Sequence, residues 1–143
     1  MESSSERQRM VNPRKVYPID TGLIPIFDRA RRANLGHALE TCVLLELERR
    51  RAEVTYVRTT SGYEVDFLAR FPAGDEALIQ CCADATDPAT AERELRALVE
   101  AGAAHPHARR LWISATRAGL PRSAPEGIEV LPAYLWLLES ESG

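Results

Sequence analysis

A chain of 143 residues with 45% hydrophobic and 27% charged side chains has the composition of one soluble globular domain with a core of ordinary size. Its net charge of −3 gives no global attraction for nucleic acid, so such binding would need a local basic patch. No apolar run reaches the length of a membrane span and Met1 to Glu6 is no secretory signal, so a cytoplasmic protein is expected.

The three cysteines are an odd number in a chain without an export signal, and they are expected as reduced thiols. Cys81 and Cys82 are neighbours on a predicted strand, point to opposite faces, and do not form a metal-ligand pair. No Cys-x-x-Cys, Gly-rich phosphate loop or His-Glu-x-x-His motif occurs, so no nucleotide site is expected in this chain.

Residues 1–10 are polar and aperiodic and read as a disordered tail. Val11 to Asp20 contains Pro13 and Pro18 and reads as extended chain, followed by a turn at Asp20-Thr21-Gly22 and a short helix at Ile24 to Phe27. Asn34 is a good N-cap for a long helix from Leu35 to about Arg51. Leu35, Leu39, Cys42, Val43, Leu44 and Leu47 give it an apolar face, and Glu46 with Arg49 and Arg50 is expected on its wet side. Glu40 falls at the margin of the apolar face. It can curl out to solvent or serve a site.

Val54 to Thr59, rich in β-branched residues, is a predicted strand, and Thr60-Ser61-Gly62 a turn. Tyr63 to Arg70 and Glu76 to Ala83 form a predicted hairpin around Phe71-Pro72-Ala73-Gly74-Asp75. Symmetry about Ala73 sets Arg70 against Glu76, Leu68 against Leu78, and Asp66 against Gln80. Strict alternation then predicts one polar face carrying Glu64, Asp66, Leu68, Leu78, Gln80 and Cys82. Val65, Phe67, Ala77, Ile79 and Cys81 would line the apolar core face.

Asp87-Pro88 starts a second helix, with Ala91, Leu95, Leu98 and Val99 as its buried stripe and Gly102 as its stop. Leu111 to Ile113 reads as a buried strand, Ala118 to Gly127 as a loop, and Ile128 to Leu131 as a last strand. A closing helix from Pro132 to Leu138 would dock Tyr134, Trp136 and Leu137 on the sheet. The order helix, three strands, helix, strand, strand, helix predicts an α/β fold, a mixed sheet flanked by helices, as a single domain over residues 11–139 with a tail at 140–143. The arginine clusters at 29–32, 49–51 and 109–110 read as solvated helix ends or faces, and Lys15 is the only lysine.

Several short motifs in this order carry a family resemblance. They are N-P-R-K-V-Y-P-I-D-T-G-L from Asn12, N-L-G-H-A-L-E from Asn34, Tyr56-Val57-Arg58, G-Y-E-V-D-F from Gly62 and L-I-Q-C-C from Leu78. The pattern resembles the PD-(D/E)XK superfamily, with its three-layer restriction-endonuclease-like core. More closely, it is similar to an uncharacterised domain found at the C-terminus of prokaryotic AAA-type ATPases. The resemblance runs from about Val11 to Trp136.

The resemblance implies a Mg²⁺ or Mn²⁺ site. In the superfamily a helix glutamate, a strand aspartate and the first acid of an E-x-K motif hold the ion, and the lysine positions or activates water. By position, Glu40 and Asp66 match the first two, Gln80 stands at the strand acid, and Cys82 stands at the lysine. Gln80 can offer an amide oxygen but removes a negative charge, and a thiol cannot replace an ammonium beside a phosphate. Arg58 and Lys15 are the cations that could contact nucleic acid in its place.

Three functions follow. The first is a weakly active or inactive nuclease-fold accessory module, binding an AAA-type ATPase core in cis or in trans, or DNA. The second is a Mg²⁺- or Mn²⁺-dependent DNA endonuclease using Glu40, Asp66 and Gln80. The third is a structural or homo-oligomerising domain.

Overall fold

The computed structural model describes residues 7–10, 31–83 and 87–139, with side chains from residue 35 onward. The elements are β1 (Arg7–Met10), α1 (Arg31–Arg49), β2 (Glu53–Arg58), β3 (Glu64–Arg70), β4 (Glu76–Cys81), α2 (Pro88–Ala104), β5 (Arg109–Ser114), β6 (Ile128–Pro132) and α3 (Ala133–Leu138). The motif around Lys15, the short helix expected at Ile24 to Phe27 and the tail at 140–143 lie outside the described residues. Arg7–Met10, expected as part of a tail, pairs its backbone along the β2 edge instead, where unpaired N–H and C=O groups invite a further strand.

The fold is α/β, with one mixed sheet whose strands run β1-β2-β3-β4-β5-β6. The pairs from β1 to β4 are antiparallel, and β4-β5-β6 are parallel. A parallel neighbour requires a crossover, and α2 supplies it between β4 and β5. Asp87 caps α2 by accepting from the Ala89 N–H, with Pro88 in the first turn where no N–H is needed. In the β3–β4 turn, Gly74 has φ +101, a conformation that side chains with a Cβ rarely adopt.

Helices cover both faces of the sheet. On one face Leu39, Val43, Leu44 and Leu47 of α1, with Trp136 of α3, pack on Val54, Phe67, Ala69, Ala77, Ile79, Leu111 and Ile113. On the other, Ala91, Leu95, Ala97, Leu98 and Ala101 of α2 pack on Val57, Val65, Leu68, Leu78, Cys82, Trp112 and Ile128. The predicted polar face is therefore corrected. Leu68 and Leu78 are fully buried, Gln80 is 4% exposed and Cys82 9%. A strand buried on both faces need not alternate polar with apolar residues.

Some expected core positions face solvent. Leu35, Val99 and Tyr134 are exposed, whereas Trp136 is buried. No described helix is long and apolar enough to cross a membrane.

Candidate functional site at the β2–β3 bulge

The sequence-matched residues meet where the β2–β3–β4 ladders lose their regular register. Val57 lies opposite Val65, and Thr55 opposite Leu68. Between those pairs β2 has one residue, Tyr56, while β3 has two, Asp66 and Phe67. This is a β-bulge, and it resets the alternation. Val65 and Leu68 consequently share the α2 face, and Phe67 and Ala69 the α1 face. Val65 and Phe67 were expected on the same side; the extra residue separates them.

The β3–β4 register is Arg70 to Glu76, Leu68 to Leu78 and Phe67 to Ile79, so the first two predicted pairs hold. Past Phe67–Ile79, side chains replace backbone partners. The Cys81 N–H donates to Asp66 Oδ2 at 2.9 Å, and the Asp66 N–H donates to Gln80 Oε1 at 3.1 Å. A buried backbone N–H without a partner costs about 1–3 kcal/mol, so these two bonds hold the strands together where the ladder ends. Asp66 and Gln80 do meet, and Asp66 Oδ2 and Gln80 Oε1 each accept an N–H from the neighbouring strand.

The remaining matched residues stand as follows. Glu40 lies on α1 and is half-buried, one turn from Val43 and Leu44. Cys82 follows β4, donates its N–H to the Ile113 carbonyl, and lies in the apolar cluster under α2. Cys81 points the other way and packs against the α1-side core. Arg58 is exposed at the end of β2, opposite Glu64, without a hydrogen bond or ion pair among the described residues. Lys15 lies outside the described residues.

Two of the oxygens that the implied Mg²⁺ or Mn²⁺ site would use are engaged within the sheet. Mg²⁺ requires hard oxygens in near-octahedral array with water. Here one Asp66 oxygen and the Gln80 amide oxygen accept strand N–H groups, and Gln80 is buried. Among the described residues, no three His, Cys, Asp or Glu side chains are grouped closely enough to share a metal ion. An ammonium at position 82 would enter an apolar cluster, where an isolated charge costs several kcal/mol.

A second polar region was missed by the sequence pattern. Arg50, expected on the wet side of α1, is only 9% exposed. Its Nε donates to Glu46 Oε1 at 2.8 Å, and its Nη2 donates to the Trp136 and Glu139 carbonyls at 3.0 and 3.2 Å. The guanidinium stacks 4.6 Å from the Trp136 ring centroid. The last carbonyls of α3 thus receive a cation that the helix itself lacks.

Glu46 also accepts two bonds from Arg49, at 2.9 and 2.7 Å. Those bonds first, with Arg50 adding to them and burial opposing, lower its pKa to about 2. The available signal was spacing. Leu39, Val43, Leu47 and Arg50 follow one another at four, four and three residues, which places Arg50 in the buried stripe.

Arg109 forms a further pair of contacts at the same end of the chain, bonding Glu129 at 3.1 and 2.9 Å and Glu139 at 3.2 and 3.4 Å. Glu129 first and then Glu139 push its pKa further up. The third arginine region is different. Arg110 is half-buried, and its side chain passes between Gly102 and Gly127. A Cβ at Gly102 would lie 2.6 Å from Arg110 Cδ, and one at Gly127 would collide with Nη2. The Arg110 side chain makes no hydrogen bond or ion pair among the described residues.

Compared with known proteins, the chain matches no family model, no curated protein and no solved structure.

Proposed function

We propose that the chain is a restriction-endonuclease-like module that acts by binding rather than by cutting, as the accessory domain of an AAA-type ATPase core carried in cis or in trans. The observation that carries this reading is the pair of bonds at the bulge, Cys81 N–H to Asp66 and Asp66 N–H to Gln80. A catalytic site needs those oxygens turned toward metal and phosphate. Here they close a sheet. Cys82, buried under α2, adds the loss of the motif cation at the one position where general acid–base or electrostatic help would stand.

Charge favours a protein partner over DNA. The net charge is −3, and Arg49, Arg50, Arg70, Arg93, Arg96 and Arg109 are each paired with a carboxylate. Phosphate-driven binding requires several cations acting together, and cations already neutralised within the protein contribute little.

The test is incubation of the purified chain with supercoiled, branched and single-stranded DNA in Mg²⁺ or Mn²⁺, beside Asp66→Ala, with fluorescence anisotropy on the same DNAs. We expect no cleavage above that of the variant, and DNA binding that is weak and disappears with added salt. Metal-dependent cleavage abolished by Asp66→Ala would overturn the reading in favour of an endonuclease.

A further inference from the structure

A groove of about 1140 Å³ runs between α2 and the loop that precedes β6. Its helix wall extends from Pro88 to Val99 and its loop wall from Ala118 to Pro125. Eleven helical rises of 1.5 Å make that wall about 16 Å long, the length of about five residues of extended chain. Leu95, Val99, Leu120 and Pro121 give the groove apolar sides, and Val99 is 41% exposed there. Among the described residues no aromatic side chain lines it, so these walls offer no platform on which a nucleic-acid base could stack.

Charge identifies the occupant. Among the described residues of the lining Glu92 is the only acid, and Arg96 pairs with it at 2.9 Å. Arg122, on the loop wall, has no hydrogen bond or ion pair among the described residues. The two walls continue past Val99 and Pro125 to Gly102 and Gly127, and the Arg110 guanidinium lies between those two glycines. Glu126, beside Gly127, is exposed and makes no bond to it. Gly127 holds φ +84, so its lack of a side chain both permits the backbone turn and leaves room for Arg110. The groove therefore combines apolar walls with the Arg122 guanidinium, and the Arg110 guanidinium lies outside its lining, between Gly102 and Gly127; no acid of the described chain pairs with either.

We propose that this groove binds a short extended peptide of a partner protein, with apolar side chains against α2 and carboxylates at Arg122 and Arg110. The proposal rests on the reading that the module works through a protein partner, and names the surface and the chemistry of that contact. A guanidinium held in a fixed slot loses little freedom on pairing, which suits bidentate recognition of a carboxylate. A five-residue contact of this size is a small interface, and the binding is accordingly transient.

The experiment is selection of random 12-residue peptides displayed on phage against the immobilised full chain, followed by titration of a synthesised winner. The variants are Val99→Arg, which fills the groove from an exposed position, and Arg122→Glu, which reverses charge on an exposed loop. Unchanged thermal melting verifies that each is folded. The expected result is enrichment of peptides with acidic residues among apolar ones, and binding weakened at least about tenfold by either variant. No enrichment, enrichment of neutral or basic peptides, or binding that survives both variants overturns the proposal. If selection fails while the chain remains inactive in the cleavage assay, the groove assignment alone falls; cleavage abolished by Asp66→Ala removes the underlying reading whatever the selection gives.

Discussion

The bulge at Asp66 and the clamp at Arg50 are both polar regions set into apolar surroundings, yet their residue types suggest opposite roles. Asp66, Gln80 and Glu40 look like a site because acids and amides on facing strands are what metal chemistry uses. Glu46, Arg49 and Arg50 look like an ordinary solvated helix end. In the fold, Asp66 and Gln80 replace missing ladder partners, and Arg50 is a buried guanidinium joining α1 to α3. What a polar side chain does depends on which backbone groups around it lack partners. At the bulge those are N–H groups of two diverging strands, and at the clamp they are the carbonyls of a six-residue helix.

The comparison breaks most readily at the clamp. Arg50→Met should lower unfolding stability by about 3 kcal/mol in urea denaturation, because it strips a buried partner from Glu46 and from two carbonyls while keeping apolar volume. A loss below about 1 kcal/mol would mean the clamp behaves like a surface ion pair.

The bulge should respond less. Asp66→Ala should cost about 1–3 kcal/mol by leaving the Cys81 N–H without its acceptor, and Asp66→Asn should recover most of that loss. The measurement is made in chelator, where a metal ligand has no ion to hold. Equal losses in Ala and Asn would show that charge, not hydrogen bonding, matters at this position.

The subtlest contrast is the acid limb of stability at Glu46. Its carboxyl is lowered from an ordinary 4.5 to about 2, so its contribution is complete above about pH 4.5 and is lost as pH falls toward 2. The stability gap between wild type and Glu46→Gln, read from urea midpoints across pH, should be widest at neutral pH and close over that window. A gap that stays constant down to pH 2 would remove the assigned pairing.

Much of the fold was legible because local chemistry acts locally. Phe71-Pro72-Ala73-Gly74-Asp75 set a turn whose symmetry yields the observed Arg70–Glu76 and Leu68–Leu78 pairs. Asp87-Pro88 marked the start of α2 with the cap that forms. The bulge was not legible, since strict alternation assumes no inserted residue. The consecutive burial of Phe67, Leu68 and Ala69 reflects a strand covered on both sides, and that depends on where α1 and α2 finally pack. Arg50 carries a charge that suggests solvent, yet its position in the stripe buries it. The space between Gly102 and Gly127 is made by residues 25 positions apart, so nothing short-range announces Arg110.

The Arg50 clamp also sets an order in time. Its two carbonyl acceptors lie 86 and 89 residues further along the chain, so a ribosome emits the guanidinium long before it emits the groups that satisfy it. Until they appear, Glu46 is the partner within α1 that the Arg50 guanidinium can reach. A chain clipped before Trp136 would leave the Arg50 guanidinium without either carbonyl acceptor, so the clamp ties the last described helix to the end of α1.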